Sequence, residues 1–306
     1  MLQNILPPRF VGALQEINPK SLIELRLRAG KPTTVWTTTK FYLGQKGLTS
    51  YEKDALVCTT KELADIVFSA SQHSIYAHND ELKEGFLTLD NGVRLGISGE
   101  IVMDNGQIKT MKNFSSLNLR FAKEIKNCSL NALPFLCDNN NKILNTLVVS
   151  PPNCGKTTFI RDLCYQMSAR DLEDNVLVVD ERNEISATLN GIATLNVGNN
   201  TDVYCGCTKQ FGIINGIRTM SPSVIVLDEI ATTQDISALN FVIASGVKII
   251  ATTHSFDYHS LLSKPLFKDV MEKEVFDRYV VLSRLNGVGT VDAIFNGAGI
   301  CVYCGG

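Results

Sequence analysis

Residues 144–158 are the part of the sequence that most restricts what this chain can fold into. The apolar run Leu144–Val149 has the length and the branched side chains of a buried strand, and residues 159–167 have helical periodicity. Between them lie Ser150, Pro151, Pro152, Asn153, Cys154, Gly155, Lys156, Thr157 and Thr158. A strand, a tight loop and a helix that starts at Gly-Lys-Thr predict a phosphate-binding loop, with backbone N–H groups and the helix dipole facing an anion.

The loop residues have distinct expected roles. Lys156 adds a mobile charge for the outer phosphates, and the Thr157 hydroxyl is a ligand for Mg²⁺. Two positions depart from the usual pattern, since Ser150 and Asn153 stand where glycine is common. Asparagine tolerates left-handed backbone angles, so we expect the loop to form. The alternative is a chance Gly-Lys-Thr at the start of an ordinary helix.

A pair of carboxylates supplies the second half of a nucleotide site. The apolar run in residues 223–230 ends in Asp228 and Glu229, at the end of a strand where an open parallel sheet carries its ligand crevice. Asp228 is placed to hold Mg²⁺, and Glu229 is placed to orient the attacking water. The competing interpretation is a solvated pair at a strand end. Together with the loop, the pair predicts a P-loop ATPase that binds ATP and Mg²⁺.

Two further strands are predicted to end in polar residues. Residues 176–179 run into an acidic segment, 180–184, and residues 247–251 run into Thr253 and His254. If these strands are parallel to the first two, their ends meet at one crevice, where either Thr253 or His254 would sense the γ-phosphate. The alternatives are a structural histidine, and a helix N-cap with solvated charges for the acidic segment.

Composition limits the remaining possibilities. The length of 306 residues suggests two domains, and the net charge of −2 gives no field that favours nucleic acid or an anionic membrane. The sequence has no stretch of 18 apolar residues, and we expect no signal peptide. The nine scattered cysteines favour a reducing compartment. The final Cys301-Val-Tyr-Cys304 is a lone C-x-x-C, which favours two free thiols over zinc or redox use.

The sequence predicts two domains of different texture. Residues 1–130 form a small α+β domain, with strands expected at 21–28, 33–43, 86–89, 93–97, 100–103, 107–109 and 117–121 and a helix at 60–70. Hairpin turns are expected at 90–92 and 104–106. Residues 131–306 form an α/β core with a mostly parallel sheet and a final hairpin of 278–285 and 288–295 at its edge. Arg94 and Arg120 stand in otherwise apolar runs of the first domain, so they need an anionic partner or a functional face, although solvent-facing strand charges are common.

Several strings in the chain resemble one known family. They are Ser150-Pro-Pro-Asn-Cys-Gly-Lys-Thr-Thr158, Val179-Asp-Glu-Arg-Asn-Glu-Ile185, Val197-Gly-Asn-Asn-Thr-Asp202, Ser221-Pro-Ser-Val-Ile-Val-Leu-Asp-Glu-Ile230, Ile23-Glu-Leu-Arg-Leu-Arg-Ala-Gly30 and Phe276-Asp-Arg-Tyr-Val-Val-Leu-Ser-Arg284. They are similar to the stage III sporulation protein AA family, over about residues 20–295. That family is related to the RecA-like ATPases of type II and type IV secretion systems. The resemblance implies a hexameric cytoplasmic ATPase of the mother cell, peripheral at the membrane facing the forespore, which docks on membrane-embedded sporulation channel proteins.

The resemblance also implies further site residues. In the secretion ATPases, arginines of the N-terminal domain reach the nucleotide, and Arg120 and Arg94 match them by strand context. An acidic box matches Asp180, Glu181 and Glu184, and a histidine box matches Thr253-His254. Ser150 is ordinary in this family, whereas Asn153 and Ala231 replace expected glycines; the first bears on loop flexibility and turnover.

Three functions remain open at this stage. The leading one is a mechanical ATPase that powers assembly of, or transport through, a membrane-spanning complex during endospore formation. A nucleic-acid-dependent RecA-like motor would need a basic or aromatic channel, which the sequence lacks, so we expect no nucleic acid partner. A non-catalytic scaffold that binds nucleotide is favoured only by the departures in the loop.

Overall fold

The computed structural model of the chain describes residues 2–19, 21–74, 79–89, 92–121, 124–169 and 175–305. The chain divides into two compact units, Met1–Lys123 and Glu124–Gly306. The boundary falls a few residues before the expected one at 130, and the reason is a set of hydrogen bonds. The buried carboxylate of Asp162 accepts from the backbone of Asn127 at 2.8 Å and from the backbone and hydroxyl of Ser129 at 2.9 and 2.6 Å. These bonds attach residues 127–129 to the second unit.

The first unit is an antiparallel sheet packed against short helices. Its elements are α1 (Leu2–Ile5), α2 (Pro8–Gln15), β1 (Glu24–Arg28), β2 (Lys31–Trp36), β3 (Lys40–Gly44), β4 (Gly47–Thr49), α3 (Thr60–Ala70), α4 (Asn79–Lys83), β5 (Phe86–Thr88), β6 (Arg94–Asp104) and β7 (Gln107–Arg120). The strand order is β4-β3-β2-β1-β7-β6-β5. Apolar and charged residues alternate along β1, as the sequence predicts for a half-buried strand. Leu25 and Leu27 are fully buried, and they lie opposite Leu119 and Leu117 of β7.

The long β6–β7 hairpin differs from the expectation of four short strands. Each pair of predicted strands is one continuous strand, and the pairing shifts register between Ser98 and Glu100 and again between Val102 and Met103. Gly99 permits the first of these shifts, because a Cβ there would lie 2.7 Å from the carbonyl oxygen of Lys112. The turn at 104–106 is present, with Asn105 at φ +49° and Gly106 at φ +78°. In the turn predicted at 90–92, residues 90 and 91 lie outside the described residues.

The second unit alternates strands and helices. Its elements are β8 (Thr146–Ser150), α5 (Lys156–Ala169), β9 (Val176–Asp180), β10 (Thr188–Leu189), β11 (Ile192–Ala193), β12 (Thr201–Cys205), α6 (Lys209–Met220), β13 (Val224–Glu229), α7 (Thr233–Ser245), β14 (Lys248–His254), α8 (Tyr258–Leu262), α9 (Lys268–Glu272), β15 (Arg278–Ser283), β16 (Thr290–Asn296) and β17 (Cys301–Cys304). The large sheet has the order β12-β9-β13-β14-β8-β15-β16-β17.

The first six strands in that order are parallel to their neighbours, and β16 and β17 are antiparallel. The predicted α/β fold with a mostly parallel sheet is therefore confirmed. The four predicted core strands stand side by side as β9, β13, β14 and β8, so their carboxyl ends meet at one edge. Two separate apolar clusters cover the two faces of this sheet, which explains why its central strands are apolar throughout.

Within the described ranges, the helices are all too short or too polar to cross a membrane.

Helix α3 of the first unit begins with a closed pair of capping bonds. The Thr59 hydroxyl accepts from the backbone N–H of Glu62 at 3.1 Å, and a Glu62 carboxylate oxygen accepts from the Thr59 N–H at 2.8 Å. Arg9 of α2 pairs with the same carboxylate at 2.7 Å. Partial burial acts to raise the pKa of Glu62, but the bonds from Thr59 and Arg9 outweigh it and hold the pKa below its ordinary value.

We predict that Glu62→Gln makes the first unit less stable only above mildly acidic pH. An acid whose folded-state pKa is lowered contributes stability above its unfolded pKa, about 4.3, and loses it as the pH falls through the folded value. The free energy of unfolding at pH 7 should fall by at most about 1 kcal/mol, because the Arg9–Glu62 pair is partly exposed. Urea unfolding from pH 7 downward measures it. Asp65→Asn, an exposed change on the same helix, is the control. If the difference in free energy of unfolding between wild type and Glu62→Gln were the same at all pH values, the prediction would be wrong.

Candidate functional site

The predicted phosphate-binding loop joins the buried strand β8 to helix α5. Every residue of β8 is buried, and α5 begins at Lys156. Asn153 has φ +62° and Gly155 has φ +94°. The asparagine that departs from the glycine pattern therefore adopts the left-handed conformation that glycine would supply.

Gly155 lies against a segment from much later in the chain. A Cβ on Gly155 would stand 2.4 Å from Cγ1 of Val288 and 2.8 Å from the backbone nitrogen of Gly289. The Gly289 N–H donates to the carbonyl oxygen of Cys154 at 2.9 Å. The tip of the β15–β16 hairpin thus packs on the loop and fixes its shape. Sequence reasoning assigned this hairpin only to the sheet edge.

Lys156 is buried at the first position of α5, with 8% of its surface exposed. Its Nζ lies 2.7 Å from Nδ1 of His254, at the end of β14. Burial lowers the pKa of Lys156, and the nearby carboxylates of Glu229 and Asp228 act against that lowering. The structure therefore brings together the lysine, the histidine and the carboxylate pair that the sequence assigned to one crevice.

The two carboxylates at the end of β13 have different surroundings. Asp228 is 9% exposed, and Thr252 lies within 3.5 Å of its Oδ1. Burial and, to a smaller extent, the charges of Glu184, Asp180 and Glu229 together raise the pKa of Asp228 to about 7, while Lys156 acts against this rise. Glu229 is more exposed, and its Oε2 lies 3.5 Å from Nε2 of His254. The His254 ring therefore lies between the two charged groups, with Nδ1 facing Lys156 and Nε2 facing Glu229.

The carboxylates around the end of β13 form a negatively charged site that would suit a divalent cation. Asp228 is a buried carboxylate among other carboxylates, and the half-buried Thr157 is the second residue of α5. No cluster of three or more His, Cys, Asp or Glu side chains that would hold a metal by itself occurs in the parts of the chain that the structure describes. The donors present suit a cation that is held mainly by phosphate and water, as Mg²⁺ usually is.

Asp180 organises the acidic segment after β9. Its fully buried carboxylate accepts hydrogen bonds from the backbone N–H groups of Glu184, Ile185 and Ser186, and from the Ser186 hydroxyl, at 2.8–3.2 Å. Arg161 of α5 donates to the carbonyl oxygens of Glu184 at 2.6 Å and Ile185 at 2.5 Å. These bonds hold a rigid loop, with Glu184 near enough to raise the pKa of Asp228. The sequence alternative of a helix N-cap does not occur here, because no helix follows.

Glu181 belongs to a second network that the sequence did not indicate. Lys209, at the start of α6, lies 2.5 Å from Oε2 of Glu181 and 3.3 Å from Oδ1 of Asp235. Asp235 also accepts from the backbone N–H groups of Ala231 and Thr232 at 2.9 Å. The network therefore fixes the segment that directly follows Glu229. The N-cap residue Thr208 indicates in the sequence where α6 begins. It does not indicate that Lys209 pairs with two carboxylates, so sequence reasoning missed the role of Lys209.

Two more polar contacts complete the end of β14. Thr253 donates to the carbonyl oxygen of Ile230 at 3.1 Å, so its hydroxyl is used inside the sheet. Lys264 donates to the carbonyl oxygen of His254. Of the two sensor candidates at this strand end, His254 is therefore the one that lies beside Lys156.

The arginines of the first unit stand opposite each other on paired strands, since Arg94 of β6 is the register partner of Arg120 of β7. The Arg94 guanidinium lies 4.0 Å from the centre of the Phe86 ring. The Arg120 side chain is exposed, and its guanidinium makes no hydrogen bond or ion pair with described residues. Arg182, in the second unit, is likewise exposed and unpaired within the described chain.

Comparison with known proteins identifies the family of the chain. The sequence profile of the family described as "Sporulation stage III, protein AA" matches residues 3–302. The chain is 34% identical to stage III sporulation protein AA of Bacillus subtilis (strain 168) over 304 residues, which cover 96% of this chain and 94% of that protein.

Two solved structures have the same fold. The ATPase DotB of Legionella pneumophila matches with a TM-score of 0.60 at 12% identity, over 95% of this chain and 82% of DotB. The pilus retraction motor PilT, solved with bound ADP, matches with a TM-score of 0.55 at 10% identity, over 90% of this chain and 78% of that chain.

We predict that Gly155→Ala costs more stability than the same change at a glycine with similar backbone but open surroundings. The alanine would meet Val288 and the backbone of Gly289, and such overpacking costs about 1–3 kcal/mol. Gly191, at φ +81° with nothing within 4 Å, is the matched control for backbone strain. Urea unfolding of both variants gives the comparison. Equal losses would show that the hairpin tip does not confine the loop.

Proposed function

The chain belongs to the sporulation stage III, protein AA, family, and from this premise we propose that it is an ATPase that works during endospore formation. One observation carries the proposal. The buried Lys156, the carboxylates Asp228 and Glu229, and His254 converge where a phosphate-binding loop meets the carboxyl ends of parallel strands. This is the edge at which open parallel sheets bind ligands.

In the proposed reaction, water attacks the γ-phosphate of ATP in line with the leaving group. Lys156 and the N–H groups at the start of α5 bind the phosphates, because both present positive charge to an anion. Thr157 and Asp228 would hold Mg²⁺, which when bound neutralises charge on the phosphate oxygens. Glu229 accepts a hydrogen bond from the attacking water and orients it. Its partial exposure suits that task, and its contact with His254 keeps it beside the group that Lys156 also contacts.

The carboxylates of the acidic segment, residues 180–184, have different roles in the proposed reaction. Asp180 acts through the backbone of residues 184–186, so it positions the loop and does not touch the substrate. Glu184 adds charge beside Asp228 and strengthens its attraction for a cation. Glu181 steadies the chain after Glu229 through Lys209 and Asp235. His254 is placed to sense the phosphate that Lys156 binds.

We predict that Lys156→Ala and Glu229→Gln separate binding from turnover. Lys156→Ala should weaken ATP binding at least about tenfold, because it removes a charge-assisted hydrogen bond to phosphate. Glu229→Gln should keep its affinity and lose about 100-fold or more in turnover, because an amide does not activate water. Calorimetry with ATP and Mg²⁺ measures the affinity, and the rate of phosphate release measures the turnover.

The exposed changes Lys142→Ala and Glu272→Gln are the controls for these variants. Both should leave affinity and turnover unchanged. Wild-type affinity in Lys156→Ala would overturn the phosphate-loop assignment. Wild-type turnover in Glu229→Gln would move the activation of water to Glu181 or Glu184.

We further propose that the active form is a ring, in keeping with the hexamer that the family resemblance implies. ATP hydrolysis in such a ring would supply mechanical work to a membrane-spanning complex between mother cell and forespore. An additional arginine would stabilise the charge of the transition state. Arg120 is the first candidate, because its guanidinium is exposed and unpaired among described residues, whereas Arg94 packs on Phe86.

We predict that specific activity rises with protein concentration as rings form, and that Arg120→Ala lowers turnover about 10³-fold with little change in ATP affinity. Light scattering and phosphate release over the same dilution series test both points. Lys112→Ala, another exposed change on β7, is the matched control. Constant activity in a protein that scatters as a monomer would refute the ring, and an unaffected Arg120→Ala would transfer the role to Arg94 or Arg182.

A further inference from the structure

The edge strand β17 carries two cysteines, and its pairing with β16 is irregular. Cys304 is opposite Ala293, Tyr303 is opposite Ile294, and Cys301 is opposite Phe295. Val302 therefore has no partner and forms a bulge. In a regular strand, residues three apart point to opposite faces. The bulge cancels one step of this alternation, so both cysteines lie on the face of Ala293 and Phe295.

The packing of the neighbouring aromatic side chains agrees with this assignment. The Tyr303 ring packs against Phe135, at 5.1 Å between centres, on one face of the sheet. The Phe295 ring stacks on Tyr258, at 4.7 Å, on the other face. The two thiols share the second face and are both exposed to solvent.

The two thiols also influence each other. The Cys301 thiol donates to the carbonyl oxygen of Tyr303 at 3.1 Å. Interaction with the nearby Cys301 side chain is the main cause that raises the pKa of Cys304. By contrast, Cys58, Cys128 and Cys164 lie in largely buried positions where desolvation raises the thiol pKa to about 12.

The register brings the Cα atoms of the two cysteines to the upper end of the separations found in disulfides. Ala293 and Phe295 are two residues apart on a strand, about 6.7 Å, and their partners Cys304 and Cys301 span the same distance. Disulfides occur at Cα separations up to about 6.8 Å. A cysteine pair three apart in a strand without the bulge would exceed this limit and would point its thiols apart.

We propose that Cys301 and Cys304 form a redox-active dithiol that closes to an intramolecular disulfide on reaction with a low-molecular-weight disulfide. One thiolate attacks a sulfur of the small disulfide, which forms a mixed disulfide and releases one small thiol. The second cysteine, as its thiolate, then attacks the sulfur of the first cysteine, which forms the intramolecular disulfide and releases the other small thiol. Two electrons pass from the protein to the oxidant, and the two protons leave on the released thiols.

The test exposes the reduced full-length protein to glutathione disulfide and examines its C-terminal peptide. Cleavage after Arg284 releases residues 285–306, whose only cysteines are Cys301 and Cys304. We expect this peptide to lose two hydrogen atoms and to carry no glutathione. Reduction by excess glutathione should restore both thiols.

Two variants make the result specific. Cys304→Ser should accumulate a stable mixed disulfide on Cys301, because no second thiol is present to displace the glutathione. Cys205→Ser removes a different exposed cysteine and should leave closure unchanged. The proposal is wrong if the wild-type peptide carries glutathione on both cysteines, if it stays reduced while Cys205 reacts, or if wild type and Cys304→Ser accumulate equal mixed disulfide.

Discussion

The direction of the strands beside β8 is the constraint on which the rest of the second unit depends. Strand β8 lies between β14 and β15, and both run parallel to it. Parallel neighbours bring the polar ends of β8, β13 and β14 to one edge, and the positive end of α5 starts there. Reversing any one of these strands would move its functional side chains to the opposite edge. The chemistry of the site is thus a consequence of topology.

Opposite charges share a confined space at that edge, and burial disfavours the charged form of each. Burial lowers the pKa of Lys156 and raises that of Asp228, so the two groups are only partly compensated by each other. A phosphate group beside Lys156 and a divalent cation beside Asp228 would compensate both. The arrangement favours a ligand that carries the two charges together, which is the character of a nucleoside triphosphate with its metal.

The predictable parts of the structure were those with a strong local signal. The run Leu144–Val149 and the residues Lys156, Asp228 and His254 follow from strand length, loop chemistry and the rule that parallel strands share an edge. The two-unit division and the parallel sheet follow from the change in pattern between the chain halves. The α/β fold of the second unit was therefore available from sequence.

The missed parts depend on contacts between residues far apart in sequence. Lys209 bridges Glu181, which follows β9, and Asp235, in the first turn of α7, and no local pattern marks such a lysine. Strands β12 and β17 are short edge strands, partly polar, with weak periodicity. The bulge at Val302 is a property of strand pairing, so the sequence predicts two free thiols at Cys301 and Cys304 but does not indicate that they share a face.

The contact between Gly155 and the β15–β16 tip has a consequence for biosynthesis. Strand β8 ends at residue 150, but its partners begin at residues 248 and 278, and the segment that confines the loop lies at 288–289. A chain emerging from the ribosome therefore carries the phosphate-binding sequence long before it has the means to shape it. The loop therefore reaches its final shape only after nearly the whole second unit has been synthesised, and a chain that ends before residue 288 would lack the segment that confines it.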